Sequence, residues 1–282
     1  MERTKSSIPF VGLHAHSVAG SPFDGFGYPQ EHMDFAWQNG MNALALTDHG
    51  NMNGLAYQVS HAKKMKAEGK EFKPIFGVEA YFIPSLKDWK EEYEKVKADK
   101  KQAKKIIDDT DKVSTEDEGA SKRKHKNKIN ARRHIVLVAL NQKGLNNLYT
   151  IVSQTHQGDN FYRYPRLDYD LLEKYGEGIM ASSACLGGIY AGDYWDNREA
   201  GDEAILNAMR DTTTRMRKAL GDRWFGELQW NNVPEQHAIN KYVIQMHEEF
   251  GIELISTADS HYPNPDAWKD RELYKRLGWI NT

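Results

Sequence analysis

Seven short apolar, β-branched runs punctuate this chain of 282 residues, and each leads into a stretch able to form a helix. The runs are PFVGLHAHS (9–17), MNALALTDH (41–49), KPIFGVEAYFI (73–83), HIVLVAL (134–140), GIMASSAC (178–185), RWFGELQW (223–230) and IELISTADSH (252–261). Helical candidates fall at roughly 29–39, 54–68, 143–156, 168–175, 199–219, 234–250 and 264–277. Strands alternating with helices at this spacing predict βαβ units and a parallel sheet. Seven units without a Gly-rich phosphate loop suit a closed or nearly closed barrel better than a dinucleotide-binding sheet. The length fits one such barrel, so 1–282 reads as a single domain.

The rhythm breaks once. Residues 85–131 open with helix formers and i, i+4 Glu/Lys pairs but few apolar residues, and their second half is more polar still. We read this stretch as a charged insertion between strands three and four, a solvated helical excursion whose second half is polar enough to be mobile. From Lys87 to Arg133 there are sixteen Lys or Arg against eleven Asp or Glu, inside a chain whose net charge is −2. KRKHKNK (122–128) with Arg132 and Arg133 forms a basic patch, so a DNA-contacting arm is the alternative reading.

The near-neutral total gives no case for a membrane or nucleic-acid surface built from charge alone. A single cysteine rules out an intrachain disulfide and suits a reducing compartment. MERTKSSIPF lacks the apolar core of a secretion signal, and no run reaches the length of a membrane span. A cytoplasmic protein with no membrane partner is the expectation.

Residues able to bind metal gather at strand ends. The first run carries His14 and His16, two apart and therefore on one face of a strand, with Asp24 in the loop after them. The second ends in Asp48 and His49, the third holds Glu79, the fifth ends at Cys185, and the seventh supplies Asp259 and His261. In a parallel barrel all C-terminal strand ends meet on one rim, so these segments converge there. Imidazole, carboxylate and thiolate are the common ligands of divalent transition metals. His134 fits less well, because it opens its strand and a strictly parallel barrel puts it on the opposite rim. Either that strand is offset, or the chain enters it differently.

The series HAHS…FDG…ALTDHGNMNGL…KPIFGVEAYFIP…RRHIVLVALNQKGLNNLYTIVS…FYRYPRLDYDLLEKYGEGIMASSACLGG…TADSHY resembles the polymerase-and-histidinol-phosphatase (PHP) domain. More narrowly, it is similar to the copy that opens bacterial replicative DNA polymerase III alpha subunits. The likeness covers nearly the whole chain except 85–131, where this sequence is longer. The loop from His16 to Asp24 is also long, and the chain stops at RLGWINT where the family runs on into polymerase sequence. The resemblance implies an α/β fold, a distorted seven-stranded β/α (TIM-like) barrel, with a trinuclear metal centre. It places nine ligands on His14, His16, Asp24, His49, Glu79, His134, Cys185, Asp259 and His261. His14, His16 and Asp259 would hold one cation and His134 with Cys185 a second, bridged to it by Glu79. Asp24, His49 and His261 would hold the third.

Two or three divalent ions so placed can run phosphoryl transfer, the Glu79-bridged pair activating water and the third ion holding a phosphate oxygen. Five histidines and a cysteine favour Zn2+, while three carboxylates leave Mn2+ or Fe2+ open. Glu79, Asp259 and His261 are assigned to catalysis. So is Asp48, which would accept a hydrogen bond from a ligand imidazole and fix its tautomer. Arg166 is a candidate for substrate phosphate, and Tyr162, Tyr164 and Tyr262 for base stacking. His32, His61, His125, His156, His237 and His247 are read as surface or packing residues.

Three functions follow. The first is a metal-dependent 3′→5′ exonuclease of proofreading type, acting on a single-stranded or primer-template DNA 3′ end beside the rest of a polymerase chain. This stretch carries no polymerase site of its own. The second is a small-molecule phosphomonoesterase of histidinol-phosphatase type, which needs a closed pocket where an exonuclease needs an open groove. The third is a non-catalytic module whose metals stabilise a polymerase.

Overall fold

The computed structural model of the chain describes residues 10–98 and 130–280, with side chains over 10–95 and 130–278. Helix α1 (Pro29–Gln38) leads to strand β1 (Ala43–Leu46), α2 (Leu55–Ala67), β2 (Lys73–Phe82) and α3 (Leu86–Ala98). Next come β3 (Arg133–Ala139), α4 (Gln142–Thr155), the paired strands β4 (Phe161–Tyr162) and β5 (Tyr164–Leu167), and α5 (Tyr169–Tyr175). The chain ends with β6 (Ile179–Ser182), α6 (Ile189–Asn197), α7 (Asp202–Leu220), β7 (Trp224–Gln229), α8 (Pro234–Phe250), β8 (Glu253–Thr257) and α9 (Trp268–Ile280). Among the described residues no helix is long and apolar enough to cross a membrane.

The sheet runs β2-β3-β6-β7-β8, with β1 alongside the first half of β2 and β5 beside its last two residues. The first apolar run closes the ring. It forms single bridges rather than a full strand, Gly12 pairing with Leu44 and Ala15 with Ser260. His16 donates its backbone N–H to Ser260 at 2.8 Å, and Thr47 donates to Ala15 at 2.8 Å, so this segment ties β8 to β1. The outcome is a distorted barrel of seven staves, as the alternation predicts.

One stave departs from the parallel expectation. β3 runs antiparallel to both neighbours, pairing Tyr81 with His134 and Val136 with Ser182. The connection from β2 leaves and returns on the same rim, so β3 starts where the other strands end. That settles the position of His134: the chain enters its strand from the other side.

Strand alternation sorts the core into two layers. Val78, Ala80, Phe82, Ile135, Leu137, Ile179 and Ala181 pack outward against the helices. Val136, Val138 and Met180 point into the barrel with Leu13, Ile75, Phe225 and Ile255. His134, Glu79 and Glu227 share the inward parity of these residues, which is why polar side chains end up inside. Each buried aliphatic side chain contributes about 1.5–3 kcal/mol.

Local signals set the helix ends. Asn141 accepts from Gly144 N at 2.9 Å to cap α4, and Asp168 accepts from Leu171 N at 3.1 Å to cap α5. Asp168 also accepts from Leu86 N at 2.9 Å, fixing the start of α3. The opening of the charged excursion is less solvated than its composition suggests, because Leu86 and Trp89 are buried against Ile83. Residues 99–129, including KRKHKNK and His125, lie outside the described residues.

Candidate metal centre

The inward side chains at the rim converge on Glu79, which is fully buried. Its Oε1 lies 3.3 Å from His14 Nε2, 3.1 Å from His134 Nδ1 and 3.7 Å from Cys185 Sγ. Its Oε2 lies 3.4 Å from His16 Nε2 and 2.7 Å from His49 Nδ1. Across the site, Asp259 Oδ1 stands 3.3 Å from His14 Nε2 and 3.1 Å from His16 Nε2. His14 and His16, two apart, thus aim at one carboxylate oxygen while Ala15 between them packs outward on Ala36 and Leu44. Asp24 Oδ2 meets His49 Nε2 at 2.9 Å and His261 Nε2 at 3.1 Å. All nine side chains expected as ligands therefore meet in one cluster.

Three groups within that cluster have donor atoms mutually within 4.8 Å: His14 with His16 and Asp259, His49 with Glu79 and His134, and His16 with His49 and His261. The first coincides with the first expected set. His49 is shared differently, one nitrogen facing Asp24 and the other facing Glu79.

The donors fit divalent cations. His14 Nε2, His16 Nε2, His49 Nδ1, Glu79 Oε2 and Asp259 Oδ1 are all buried without a hydrogen-bond partner. An unsatisfied buried polar atom costs about 1–3 kcal/mol, and five of them approach the whole stability of a domain, about 5–15 kcal/mol. Close approaches between buried donor atoms that make no hydrogen bond are an arrangement a cation resolves.

Electrostatics divide the imidazoles. Burial and the neighbouring His49 and His261 push His16 down to about 3, so its imidazole is neutral and offers a lone pair. Burial alone would lower His14 and His49 too, but Asp259 and Glu227 around the first and Glu79 and Asp24 around the second raise both well above the usual value. Burial would raise Glu79, yet His134, His14 and His49 hold its carboxyl well below the usual range.

The backbone is strained at the same place. Four described non-glycine residues adopt left-handed φ, and three are Asp259 (+48°), Ala184 before Cys185 (+58°) and Phe23 before Asp24 (+65°). Gly187 passes so close to His134 that a Cβ there would sit 3.2 Å from Nδ1.

Sequence reasoning missed Glu227. Buried on β7, it accepts from His14 Nδ1 at 2.7 Å, Gln229 Nε2 at 2.9 Å and Thr257 Oγ1 at 2.5 Å, and also from Ser182. With Nδ1–H engaged, His14 must present Nε2 to the cluster. The only signal was an acidic residue at an inward position of the apolar run RWFGELQW. Asp48 had been expected in this role, but its partners differ. It accepts from Ser17 N at 2.6 Å, Ser17 Oγ at 2.9 Å and Ser21 Oγ at 2.9 Å, and Ser21 in turn lies 3.4 Å from His16 Nδ1. Asp48 thus reaches an imidazole only through a serine hydroxyl.

Arg166 does not face the cluster. It is fully buried, donates from Nη1 to the carbonyls of Tyr162 (2.6 Å) and Tyr164 (2.9 Å), and lies 4.3 Å over the Trp89 ring. A phosphate-binding fork needs open donors, and this guanidinium is spent on bracing the β4–β5 hairpin. Arg132 lies closer to the ligands, 3.7 Å over the Tyr164 ring and 5.4 Å over Tyr81, whose own ring stacks 6.1 Å from His49. Tyr162 packs on Tyr93 at 4.7 Å.

Residues 12–230 match the family described as PHP domain. The chain belongs to the PHP domain family. Among curated relatives of this PHP chain, the DNA polymerase III subunit alpha of Aquifex aeolicus is 34% identical over 263 residues, covering 92% of this chain and 19% of the relative. That of Borreliella burgdorferi is 30% identical over 271 residues, covering 95% and 19%. The PHP chain therefore spans about a fifth of the length of the curated relatives it matches. A solved structure from Bifidobacterium adolescentis, described as a "putative metal-dependent phosphoesterase", aligns at TM-score 0.50 and 12% identity, covering 93% of this chain and 91% of that one. At that identity the likeness concerns the fold.

Proposed function

We propose that this PHP chain is a metal-dependent phosphoesterase, and more specifically a 3′→5′ exonuclease acting on DNA 3′ ends. The observation that carries the reading is the cluster of five buried donor atoms without partners, gathered from the first apolar run, β2 and the segments that follow β1 and β8. The two relatives described above, both DNA polymerase III alpha subunits, support DNA as the substrate and a polymerase chain as the partner. A cytoplasmic protein in which 1–282 forms one domain, with 85–131 as a charged insertion, belongs to the same proposal.

His14, His16, Asp24, His49, Glu79, His134, Cys185, Asp259 and His261 would hold two or three divalent ions. Such ions supply Lewis acidity to a phosphate oxygen and lower the pKa of water to about 7. The chain's own part is positioning. Glu79 faces three donors with one oxygen and two with the other, which suits a bridging carboxylate. Asp259 and His261 fix the opposite wall. Glu227 and the Asp48–Ser21 pair orient His14 and His16. Arg132, seated over the Tyr164 ring, would meet substrate phosphate in place of Arg166.

The test is to offer Mn2+- or Zn2+-loaded protein a 3′-mismatched primer-template beside histidinol phosphate and p-nitrophenyl phosphate, with Asp259→Asn as control. The reading expects mismatch-end digestion that Asp259→Asn abolishes. Equal DNA degradation by both proteins points to a contaminant and rejects it. Turnover of the small esters alone favours a monoesterase, and no turnover of any substrate favours a structural module.

A further inference from the structure

The loop carrying Asp24 is gripped from outside the barrel by α9. Arg271 donates from Nη2 to Asp24 Oδ1 at 2.8 Å and from Nε to the Asp24 carbonyl at 2.9 Å. The other carboxylate oxygen is the one facing His49 and His261. Next door, the Phe23 ring stacks on Tyr274 at 5.3 Å. A Cβ at Gly278 would fall 2.8 Å from Phe23 Cβ, so the glycine is what lets α9 close on the loop. Asp24 is the ligand whose flanking loop is long, and it is the one held by a helix remote in sequence.

A guanidinium that bonds both the side chain and the main chain of one aspartate leaves that aspartate a single orientation. One oxygen is committed to Arg271 and the other is aimed at the two imidazoles. We propose that Arg271 is a positioning residue for the cation site formed by Asp24, His49 and His261, and that the seating of α9 is coupled to occupancy of that site. The proposal rests on the metal-centre reading above. Coupling is reciprocal: if α9 orients Asp24 for the ion, the ion stabilises α9 in return. Charge acts in the opposite direction, because removing Arg271 takes away a positive neighbour and by itself favours cation binding. Geometry and charge are separable, since lysine keeps the charge and loses the two-pronged donor set.

The test uses the full chain and Mn2+ alone, by equilibrium dialysis with elemental analysis and by hydrogen exchange over 268–278. Arg271→Lys and Arg271→Gln should both weaken one ion about tenfold or more and leave the tighter binding intact, the scale of losses at groups that orient ligands. Asp24→Asn should weaken the same ion, and adding Arg271→Lys to it should cost nothing further. Amides of α9 should gain protection on Mn2+ loading in the wild type and not in Arg271→Gln. Tighter binding in Arg271→Gln with no change in Arg271→Lys shows a charge effect only and overturns the proposal. Equal weakening of every ion, or α9 protection indifferent to Mn2+, does the same. A wild type that takes up no Mn2+ fails earlier, at the metal centre itself, and removes the proposal's premise.

Discussion

Glu227 accepts the Nδ1–H of His14 at 2.7 Å across 213 residues of chain. Three other donors, from Ser182, Thr257 and Gln229, hold that carboxylate in place. Glu227→Gln puts an amide N–H where a donor already points and releases His14 from its tautomer. Metal affinity should fall about 10–100-fold with the fold retained. Isothermal titration with Zn2+ checks this; unchanged affinity contradicts the assigned role.

Arg166 holds the β4–β5 hairpin through the Tyr162 and Tyr164 carbonyls rather than reaching the rim. Arg166→Met should cost stability, about 1.5–3 kcal/mol for loss of a charged donor, while turnover per folded molecule is kept. Urea denaturation reads the first quantity and active-fraction-corrected kinetics the second. Selective loss of turnover at full stability would return Arg166 to the substrate.

Cys185 Sγ lies 3.6 Å from His134 Nδ1 and 3.7 Å from Glu79 Oε1, an intimate place for a soft donor. Cys185→Ser should weaken Zn2+ more than Mn2+, because the thiolate prefers the softer ion. Competition dialysis of the two metals against wild type and variant measures the ratio. An unchanged ratio means the sulfur is packing.

In the metal-free protein burial opposes charge on His14, His49 and His261, but the carboxylates facing them win and raise all three. A raised folded pKa contributes stability that is full below the unfolded value, about 6.5, and lost as pH rises through the folded value. Cations need those imidazoles neutral, so loading expels the protons. Raising the pH from about 6 to about 8 should therefore lower the metal-free melting temperature and tighten metal binding. Calorimetry near neutral pH in buffers of different ionisation enthalpy should register proton release, and a heat independent of buffer would contradict this.

The periodic features were legible in the sequence, and the exceptions have physical causes. The seven apolar runs mark the seven staves because a strand buried on both faces must be apolar throughout. The direction of β3 left no trace in its composition, since HIVLVAL reads alike in either sense, so His134 was placed only by the connection that precedes it. Helix α6 (IYAGDYWDN) went unread because Gly192 and its aromatics blur the helical signal. The β4–β5 hairpin was hidden by Pro165, which argues against a strand and is tolerated because β5 pairs with β2 only at Arg166 and Leu167. Ligands were readable as residue types near strand ends. The residues that orient them were not: Glu227, Ser21 and Arg271 matter only through contacts across the fold, and Asp48 and Arg166 carry chemistry-bearing side chains that folding turned to other partners.

The central claim is that these scattered side chains hold several divalent ions around Glu79. Elemental analysis of the chain dialysed to equilibrium against Zn2+ or Mn2+ tests it most directly, with Glu79→Gln in parallel. The account expects two or three ions per wild-type chain and fewer in Glu79→Gln, because the bridging carboxylate is gone. A wild type that binds none, or a Glu79→Gln chain that binds as many as the wild type at the same affinity, would contradict it.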